Sequence, residues 1–421
     1  MSANRERGVV FVMTLVVLIA LTIILSGVAR LTHTQFRAQI NRIDEIRAQR
    51  NAEAGLARAL ALFSAQTTQA QPGVTGTQDD WALLGTHGTD RFLVNDGSFR
   101  VQIVDACAFI NLNTVTEDQL MRMPLTQEQI DSLLDWREPS RNPRPDGAKD
   151  DYYNALDNPY NAKLGPLDTV DELLLIRGFT SRALYMPQDN VVSTATQVQG
   201  SQNAQPVLAD LVTVASASRN ITPSGQTKLN VNTATQQQLT QRGLPGPLAQ
   251  AIIQRRNTQG TFTDIGDVLR VPGVNNNTAR TILDNLTTTG GTQLTGLINL
   301  NTASESVLNT VPNLTPDISA AIVAQQQTGF VSVADLLNVP GYSMQLLQQT
   351  ARYFSVQSQS FVVRCLGTAG RVQAAIEAWI TVDQNGPRVV RIDPKDSSVW
   401  TTRWRWPSDT AADIDLEVAQ Q

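Results

Sequence analysis

One uninterrupted apolar segment places the strongest constraint on this chain. Val9 to Ala29 reads VVFVMTLVVLIALTIILSGVA and contains no charged residue. About twenty such residues are needed for an α-helix to cross the hydrocarbon core of a bilayer. Arg5 and Arg7 precede the segment, so the positive-inside rule places them in the cytoplasm and the residues after Arg30 across the membrane. The sequence therefore predicts a single-pass membrane protein.

The helical pattern continues beyond the apolar segment. Large apolar residues recur there at roughly helical spacing among polar ones: Leu31, Phe36, Ile40, Ile43, Ile46, Leu56, Leu60 and Phe63. One helix from Val9 to Ser64 would be about 80 Å long at 1.5 Å per residue. A plain signal anchor is the alternative.

Both ends of this helix resemble pilin-like proteins. Arg7-Gly8 followed by Val9-Val10-Phe11 resembles the site of prepilin peptidase, which cuts after the glycine and keeps the apolar segment. Ala52-Glu53-Ala54-Gly55-Leu56 resembles the AEAGL signature of the same proteins. The resemblance implies processing between Gly8 and Val9 and a spine helix that packs into a filament.

Met13 departs from the usual pilin pattern. Most pilins have glutamate at this fifth mature position, where the carboxylate pairs with the N-terminal amine of a neighbour. An unpaired carboxylate in the membrane core costs roughly 2.5–3.5 kcal/mol on insertion scales. A subunit with methionine here needs no neighbour ahead of it, as expected for the subunit at the tip of a filament.

Two groups of alternating apolar residues predict strands on either side of a long central region. The first group flanks Asn95-Asp96-Gly97 and the second flanks Asn385-Gly386, both turn signals. The predicted strands are Phe92–Val94, Ser98–Val104, Ser360–Leu366, Val372–Val382 and Val389–Ile392. The expected fold class is α+β: a long N-terminal helix packed on a small antiparallel sheet, with a large helical insertion between Ile110 and Val356.

The insertion contains an internal repeat. INLNTVT begins at Ile110, LNVNTAT at Leu229 and INLNTAS at Ile298. Each copy has a second half that ends in glycine: Leu167–Gly178, Phe262–Gly273 and Phe330–Gly341. The pattern predicts helix-hairpin-helix or SAM-like units, with the threonine of each motif capping a helix.

Helix-hairpin-helix units often bind DNA through backbone N–H groups and nearby basic residues. The second copy carries such residues around Val271–Val274: Arg255, Arg256, Arg270 and Arg280. The third copy has no basic residue until Arg352, and the first is acidic. A role in protein contacts is therefore favoured, and a membrane-anchored DNA-uptake protein is the alternative.

The first copy is similar to the type II secretion system protein K family, the large minor pseudopilins. It contains an additional segment, Pro139 to Gly165, with Asp146-Gly147-Ala148, Tyr152-Tyr153 and Asn158-Pro159-Tyr160, followed by GPLDTVDEL from Gly165. The resemblance implies minor pseudopilins I and J, other pseudopilins and prepilin peptidase as partners. It also implies an inner-membrane location, a cytoplasmic N-terminus and a periplasmic bulk. The implied role is to cap the pseudopilus tip and to help export folded proteins across the outer membrane.

The motifs together divide the chain into eight parts. The expected parts are a leader (1–8), a transmembrane helix (9–29), a spine helix with first strands (30–109), a first SAM-like unit (110–190), a flexible linker (191–228), an additional helix-hairpin-helix unit (229–290), a last SAM-like unit (298–356) and C-terminal strands with a tail (357–421).

The family resemblance also implies calcium. The additional segment and the helix before it contain candidate ligands of the hard-oxygen type that Ca²⁺ prefers: Asp135, Asp146, Asp150, Asp151 and Asp157. Two departures oppose this interpretation. Arg137-Glu138-Pro139-Ser140 stands where the family often has a more acidic run, and Lys149 stands where glutamate is common.

The two cysteines and two histidines limit other chemistry. Cys107 and Cys365 follow similar predicted strands in an oxidising compartment, so a disulfide that clamps the insertion is one hypothesis and two buried thiols are the other. His33 lies just past the membrane segment and His87 in a loop rich in glycine and threonine. The chain is therefore not expected to be an enzyme.

The first prediction concerns processing. We expect the membrane form to begin at Val9, because the helix must keep its apolar surface while it loses the charged leader. Intact mass spectrometry of the membrane form measures this directly. A mature chain that begins at Met1, or that is cut beyond Ala29, would leave only the plain anchor.

Overall fold

The computed structural model describes residues 3–68, 73–95, 97–186 and 207–407. The α-helices are α1 (Ala3–Thr68), α2 (Asp80–Leu83), α3 (Glu117–Leu120), α4 (Gln127–Arg137), α5 (Asp150–Tyr153), α6 (Ser181–Tyr185), α7 (Gln236–Gln241), α8 (Gly246–Gln259), α9 (Ile265–Leu269), α10 (Asn276–Asn285), α11 (Glu305–Leu308), α12 (Pro316–Gln325), α13 (Met344–Thr350) and α14 (Ser397–Arg403). The strands are β1 (Arg91–Val94), β2 (Gly97–Asp105), β3 (Ile110–Asn111), β4 (Val212–Thr213), β5 (Ala217–Arg219), β6 (Leu229–Asn230), β7 (Leu286–Thr287), β8 (Gln293–Thr295), β9 (Ile298–Asn299), β10 (Phe354–Ser355), β11 (Ser360–Ala369), β12 (Val372–Asp383) and β13 (Gly386–Lys395).

The predicted spine is one continuous helix, α1, of 66 residues. Between Met13 and Arg47 its described side chains are exposed, apart from the half-buried Asp44. The apolar part of this stretch is long enough to cross a membrane. The C-terminal third of α1 is different, because Ala48, Ala52 and Ala59 are fully buried there. The spine therefore has an exposed apolar stretch, from Met13 to Ala29, and a C-terminal third that packs on the rest of the protein.

The strands around the insertion form a single sheet, as predicted. The order is β1-β2-β11-β12-β13 and every pair is antiparallel. The insertion leaves the sheet after β2 and returns at β11, and these two strands are direct neighbours. The predicted fold class is confirmed: a long helix on an antiparallel sheet, with a mainly helical insertion.

Small residues let α1 approach the sheet closely. A Cβ added at Gly367 of β11 would lie 1.9 Å from the carbonyl oxygen of Ala48 and 2.3 Å from the backbone nitrogen of Ala52. On the helix side, a Cβ added at Gly55 would lie 3.1 Å from the Phe99 ring and 3.2 Å from the Cys365 sulfur. The AEAGL signature is thus the part of the spine that contacts the strands.

Each inserted unit is closed by a short parallel strand pair. The first unit closes through β3 and β4, the second through β6 and β7, and the third through β9 and β10. The first unit therefore ends at Thr213 rather than at residue 190. The linker prediction for 191–228 is wrong for its described part, because β4 and β5 lie there and β5 pairs with β8. Residues 187–206 lie outside the described residues.

The second prediction tests the contact between spine and sheet. Gly367→Ala should lower the free energy of unfolding by about 1–3 kcal/mol, because the methyl group must displace backbone of α1. Denaturant unfolding of the detergent-solubilised chain measures the change. Gly290→Ala is the matched control, because its added Cβ meets nothing within 4 Å. Equal stability of the two variants would contradict the described packing.

Candidate functional site

Each inserted unit contains two asparagines of the repeated motif that hydrogen-bond to each other. In the third unit the side-chain oxygen Oδ1 of Asn299 accepts from the Asn301 backbone N–H at 3.0 Å, which orients the Asn301 side chain. The Asn301 amide then donates to the Phe330 carbonyl at 3.0 Å and accepts from the Phe330 N–H at 2.6 Å. Phe330 begins the second half of the repeat. The amide nitrogen and the amide oxygen of Asn301 therefore both bind the second half of the unit, and the motif joins the two halves.

The same two-way bond occurs in the other units. Asn113 exchanges hydrogen bonds with the backbone of Leu167 at 2.9 and 2.7 Å. Asn232 does so with Phe262 at 3.0 and 2.8 Å. The second asparagine of the repeat is thus a structural residue in all three copies, and its recurrence in the sequence reflects packing within each unit.

In each unit, one long polar side chain at or just after the C-terminal end of α4, α8 or α12 makes a second contact. Arg137 donates to the carbonyls of Leu112 and Val115. Gln326 makes the equivalent bonds to the carbonyls of Leu300 and Ala303, at 2.7 and 2.8 Å.

In the second unit this position is Arg256, one of the candidate phosphate contacts. Its guanidinium donates to the carbonyls of Val231 and Ala234 at 2.8 and 2.9 Å. Arg256 therefore stabilises its own unit.

The other arginines of the second unit also have intramolecular partners. Arg255 lies over the Phe262 ring, 4.5 Å from its centroid. Arg270 pairs with Asp267 at 2.5 Å, and Arg280 pairs with Asp335 of the third unit. Acidic partners of this kind reduce the positive potential that attracts a phosphate backbone. The contact between Arg280 and Asp335 also joins the second unit to the third.

The carboxylate of Asp105 joins the insertion to the sheet. It lies at the end of β2 and is 2% exposed. It accepts hydrogen bonds from the Asn299 amide at 2.9 Å, Thr302 Oγ1 at 2.6 Å and Ser358 Oγ at 2.7 Å. Burial raises the pKa of Asp105, and these bonds together with one from the Cys107 N–H lower it. The start of the third unit and the segment before β11 thus meet at one buried carboxyl group, which the sequence alone did not indicate.

The candidate calcium ligands do not converge. Asp135 is buried and accepts from the Arg144 N–H at 3.0 Å, and Asp150 accepts from the Ala162 N–H at 2.9 Å. Asp146, Asp151 and Asp157 are exposed. Within the described residues no group of three or more acidic, histidine or cysteine side chains could hold a metal ion. The five carboxylates are therefore not gathered into one cluster.

The predicted disulfide is wrong, and both cysteines are buried free thiols. Cys365 lies opposite Val101 in the register of β2 and β11. Cys107 follows Asp105, which is itself four residues beyond Val101 and so about 13 Å further along the strand. Cα atoms more than about 7 Å apart cannot be bridged without backbone movement. The similarity of the two strands correctly predicted that β2 pairs with β11. It did not predict the register, which separates Cys107 from Cys365.

The comparisons with known proteins match different parts of the chain. Residues 110–186 match the type II secretion system protein K family, and residues 224–287 and 295–355 match the helix-hairpin-helix motif. Protein K of type II secretion from Klebsiella pneumoniae is 28% identical over 203 residues, which cover 43% of this chain and 60% of that protein. The chain thus spans about three fifths of the length of this relative.

Two further similarities are weaker. The endonuclease/exonuclease/phosphatase family domain-containing protein 1 from Bos taurus is 24% identical over 39% of this chain, but over only 26% of its own length. The crystal structure of the GspK-GspI-GspJ complex from enterotoxigenic Escherichia coli contains a chain that matches at 16% identity and a TM-score of 0.40, covering 87% of this chain and 99% of that one.

A bare apolar helix that packs on an antiparallel sheet, with helix-hairpin-helix units inserted between neighbouring strands, defines a membrane-anchored, pilin-like protein with an enlarged head. Within this class, the first inserted unit matches the type II secretion system protein K family. The chain is also similar to protein K from Klebsiella pneumoniae over part of its length.

The third prediction tests the asparagine contact. Asn301→Ala should lower the free energy of unfolding by about 1–3 kcal/mol for each buried group of Phe330 that it leaves unpaired. The Phe330 amide should also exchange faster with deuterium. Asn276→Ala, at an exposed position of α10, is the matched control. Unchanged protection of the Phe330 amide would contradict the proposed role.

Proposed function

We propose that this chain is the minor pseudopilin that caps the tip of the type II secretion pseudopilus and helps to export folded proteins across the outer membrane. The observation that carries the proposal is the division of α1. Between Met13 and Ala29 the helix is apolar and exposed, and its C-terminal third is covered by the sheet. A helix exposed in this way needs a lipid bilayer or neighbouring helices around it.

The tip position is supported by two features of the chain. Met13 is 67% exposed on α1 and supplies no carboxylate for the amine of a neighbouring subunit. The head is large, because the whole insertion is carried between β2 and β11. A subunit that needs no neighbour ahead of it, and whose head occupies the space above it, ends a filament.

The proposed partners are minor pseudopilins I and J, which would pack along the exposed half of α1. Prepilin peptidase would first remove residues 1–8. The N-terminus would then face the cytoplasm and the inserted units the periplasm, consistent with Arg5 and Arg7 before the apolar segment. In this role the chain contributes assembly, and no catalytic step is assigned to it.

DNA binding is the competing function and is not favoured. The helix-hairpin-helix match covers the second and third units, but the arginines of the second unit bond to their own fold or to neighbouring acids. Phosphate contacts would have to break these interactions. The overall formal charge of -5 also provides no long-range attraction for nucleic acid.

The fourth prediction tests assembly at the tip. The full chain, co-expressed with pseudopilins I and J, should purify with one copy of each. Met13→Glu should reduce secretion. The new carboxylate is costly in the membrane core unless it pairs with the N-terminal amine of a neighbour, and this pairing favours internal positions in the filament. Met13→Leu keeps an apolar side chain and should behave as the wild type.

Two results would contradict the proposal. The first is a long homopolymer of this chain, which would make it a shaft subunit. The second is saturable binding of a labelled DNA duplex that falls steeply as salt rises, which would favour DNA uptake. Equal secretion by the Met13→Glu and Met13→Leu variants would remove the argument from Met13.

A further inference from the structure

Lys149 is a buried lysine that precedes α5, and its ammonium lies among oxygen atoms at the C-terminal end of α4. Its side chain is 5% exposed, and its ammonium donates to the backbone carbonyls of Asp135 and Glu138, the latter at 3.1 Å. One carboxylate oxygen of Asp135 lies 3.9 Å away. The ammonium thus makes two hydrogen bonds to carbonyls and one ion pair with the carboxylate.

These oxygens need a cation for a clear physical reason. The last carbonyls of a helix have no intrahelical partner, and the helix dipole adds partial negative charge there. Asp135 adds a full negative charge at the same place, and its side chain is 1% exposed. Leaving such groups buried without a positive partner would be strongly destabilising.

The loop before Lys149 is folded tightly over this point. A Cβ added at Gly147 would lie 1.9 Å from the Asp135 carboxylate, so the backbone passes directly over it. The Arg144 N–H binds the same carboxylate, and the Arg144 guanidinium pairs with Glu117 and Glu138 at 2.9 and 3.0 Å. Glu117, Glu138 and Asp135 are thus already paired with cations of the chain itself.

Backbone carbonyls and a carboxylate are also the ligands that Ca²⁺ selects, at 2.3–2.6 Å. A calcium ion bound to these oxygens would lie against the Lys149 ammonium, and two unscreened positive charges repel each other strongly at such distances. The ammonium and a divalent ion therefore exclude one another. Family resemblance implied a metal here, and the residues present do not fit one.

We propose that the ammonium of Lys149 is the resident cation of this loop and that it replaces a divalent metal. The first inserted unit then folds and keeps its shape without calcium. Any partner that recognises the segment 139–165 meets a surface that does not respond to the calcium concentration. This inference concerns the first unit alone and stands whether or not the chain caps a filament.

The fifth prediction compares unfolding midpoints of the detergent-solubilised full chain in EDTA, in CaCl₂ and in MgCl₂. The wild type should have the same midpoint in all three, and equilibrium dialysis should show no stoichiometric calcium. Lys149→Met should lower the midpoint by about 5 °C or more, because a buried anion and two carbonyls lose their partner. Lys163→Met is the matched control: its ammonium pairs with Asp168 and Glu172, but its side chain is 30% exposed, so a much smaller change is expected.

The possible results separate cleanly. If calcium raises the midpoint of Lys149→Met but not that of the wild type, the ammonium occupies a cation site and the proposal is supported. If EDTA lowers the wild-type midpoint, or if the wild type binds one calcium ion, the proposal is overturned. Equal stability of the Lys149→Met and Lys163→Met variants would also overturn it. Should Lys149→Met fail to fold, the wild-type measurements alone decide.

Discussion

The buried carboxylate of Asp105 is the point on which the arrangement of the two halves of this molecule depends. Four donors converge on it, from Cys107, Asn299, Thr302 and Ser358. Two of these residues lie where the chain leaves the sheet and returns to it, and the other two open the third unit. Because a buried carboxyl group without hydrogen-bond partners is costly, this group holds all four donors in place. The head is therefore fixed to the sheet at the base of the insertion.

Within the head, a few polar side chains likewise hold each unit together. An asparagine that bonds in both directions joins the halves of each unit, and one arginine or glutamine secures the second helix. In the second unit this arginine is Arg256, one of the four candidate phosphate contacts. What differs between units is their surface, and only the first contains the loop closed over Asp135 by Lys149. Shared internal bonds with different surfaces are suited to units that contact different proteins.

Much of the fold could be predicted from the sequence because its signals are local or repeated. The spine follows from apolar spacing, and the three units follow from their common motif. Register and convergence are set by tertiary packing, so the pairing of β2 with β11 was predictable but the separation of Cys107 from Cys365 was not. In the same way, the family resemblance implied metal ligands around Asp135 but did not reveal that the Lys149 ammonium binds the oxygens there. The serine- and threonine-rich segment before the second unit indicated a linker, although Ala217–Arg219 forms a strand with a distant partner.

The central claim is that the fixed head ends a filament, and the position of the head within the assembled pseudopilus tests it most directly. Asn277 is exposed on α10 of the second unit, and both native cysteines are fully buried. Asn277→Cys therefore provides one reactive thiol for a gold label on the head. Electron micrographs of labelled pseudopili should show the label at one end only. Labels distributed along the shaft would contradict the account.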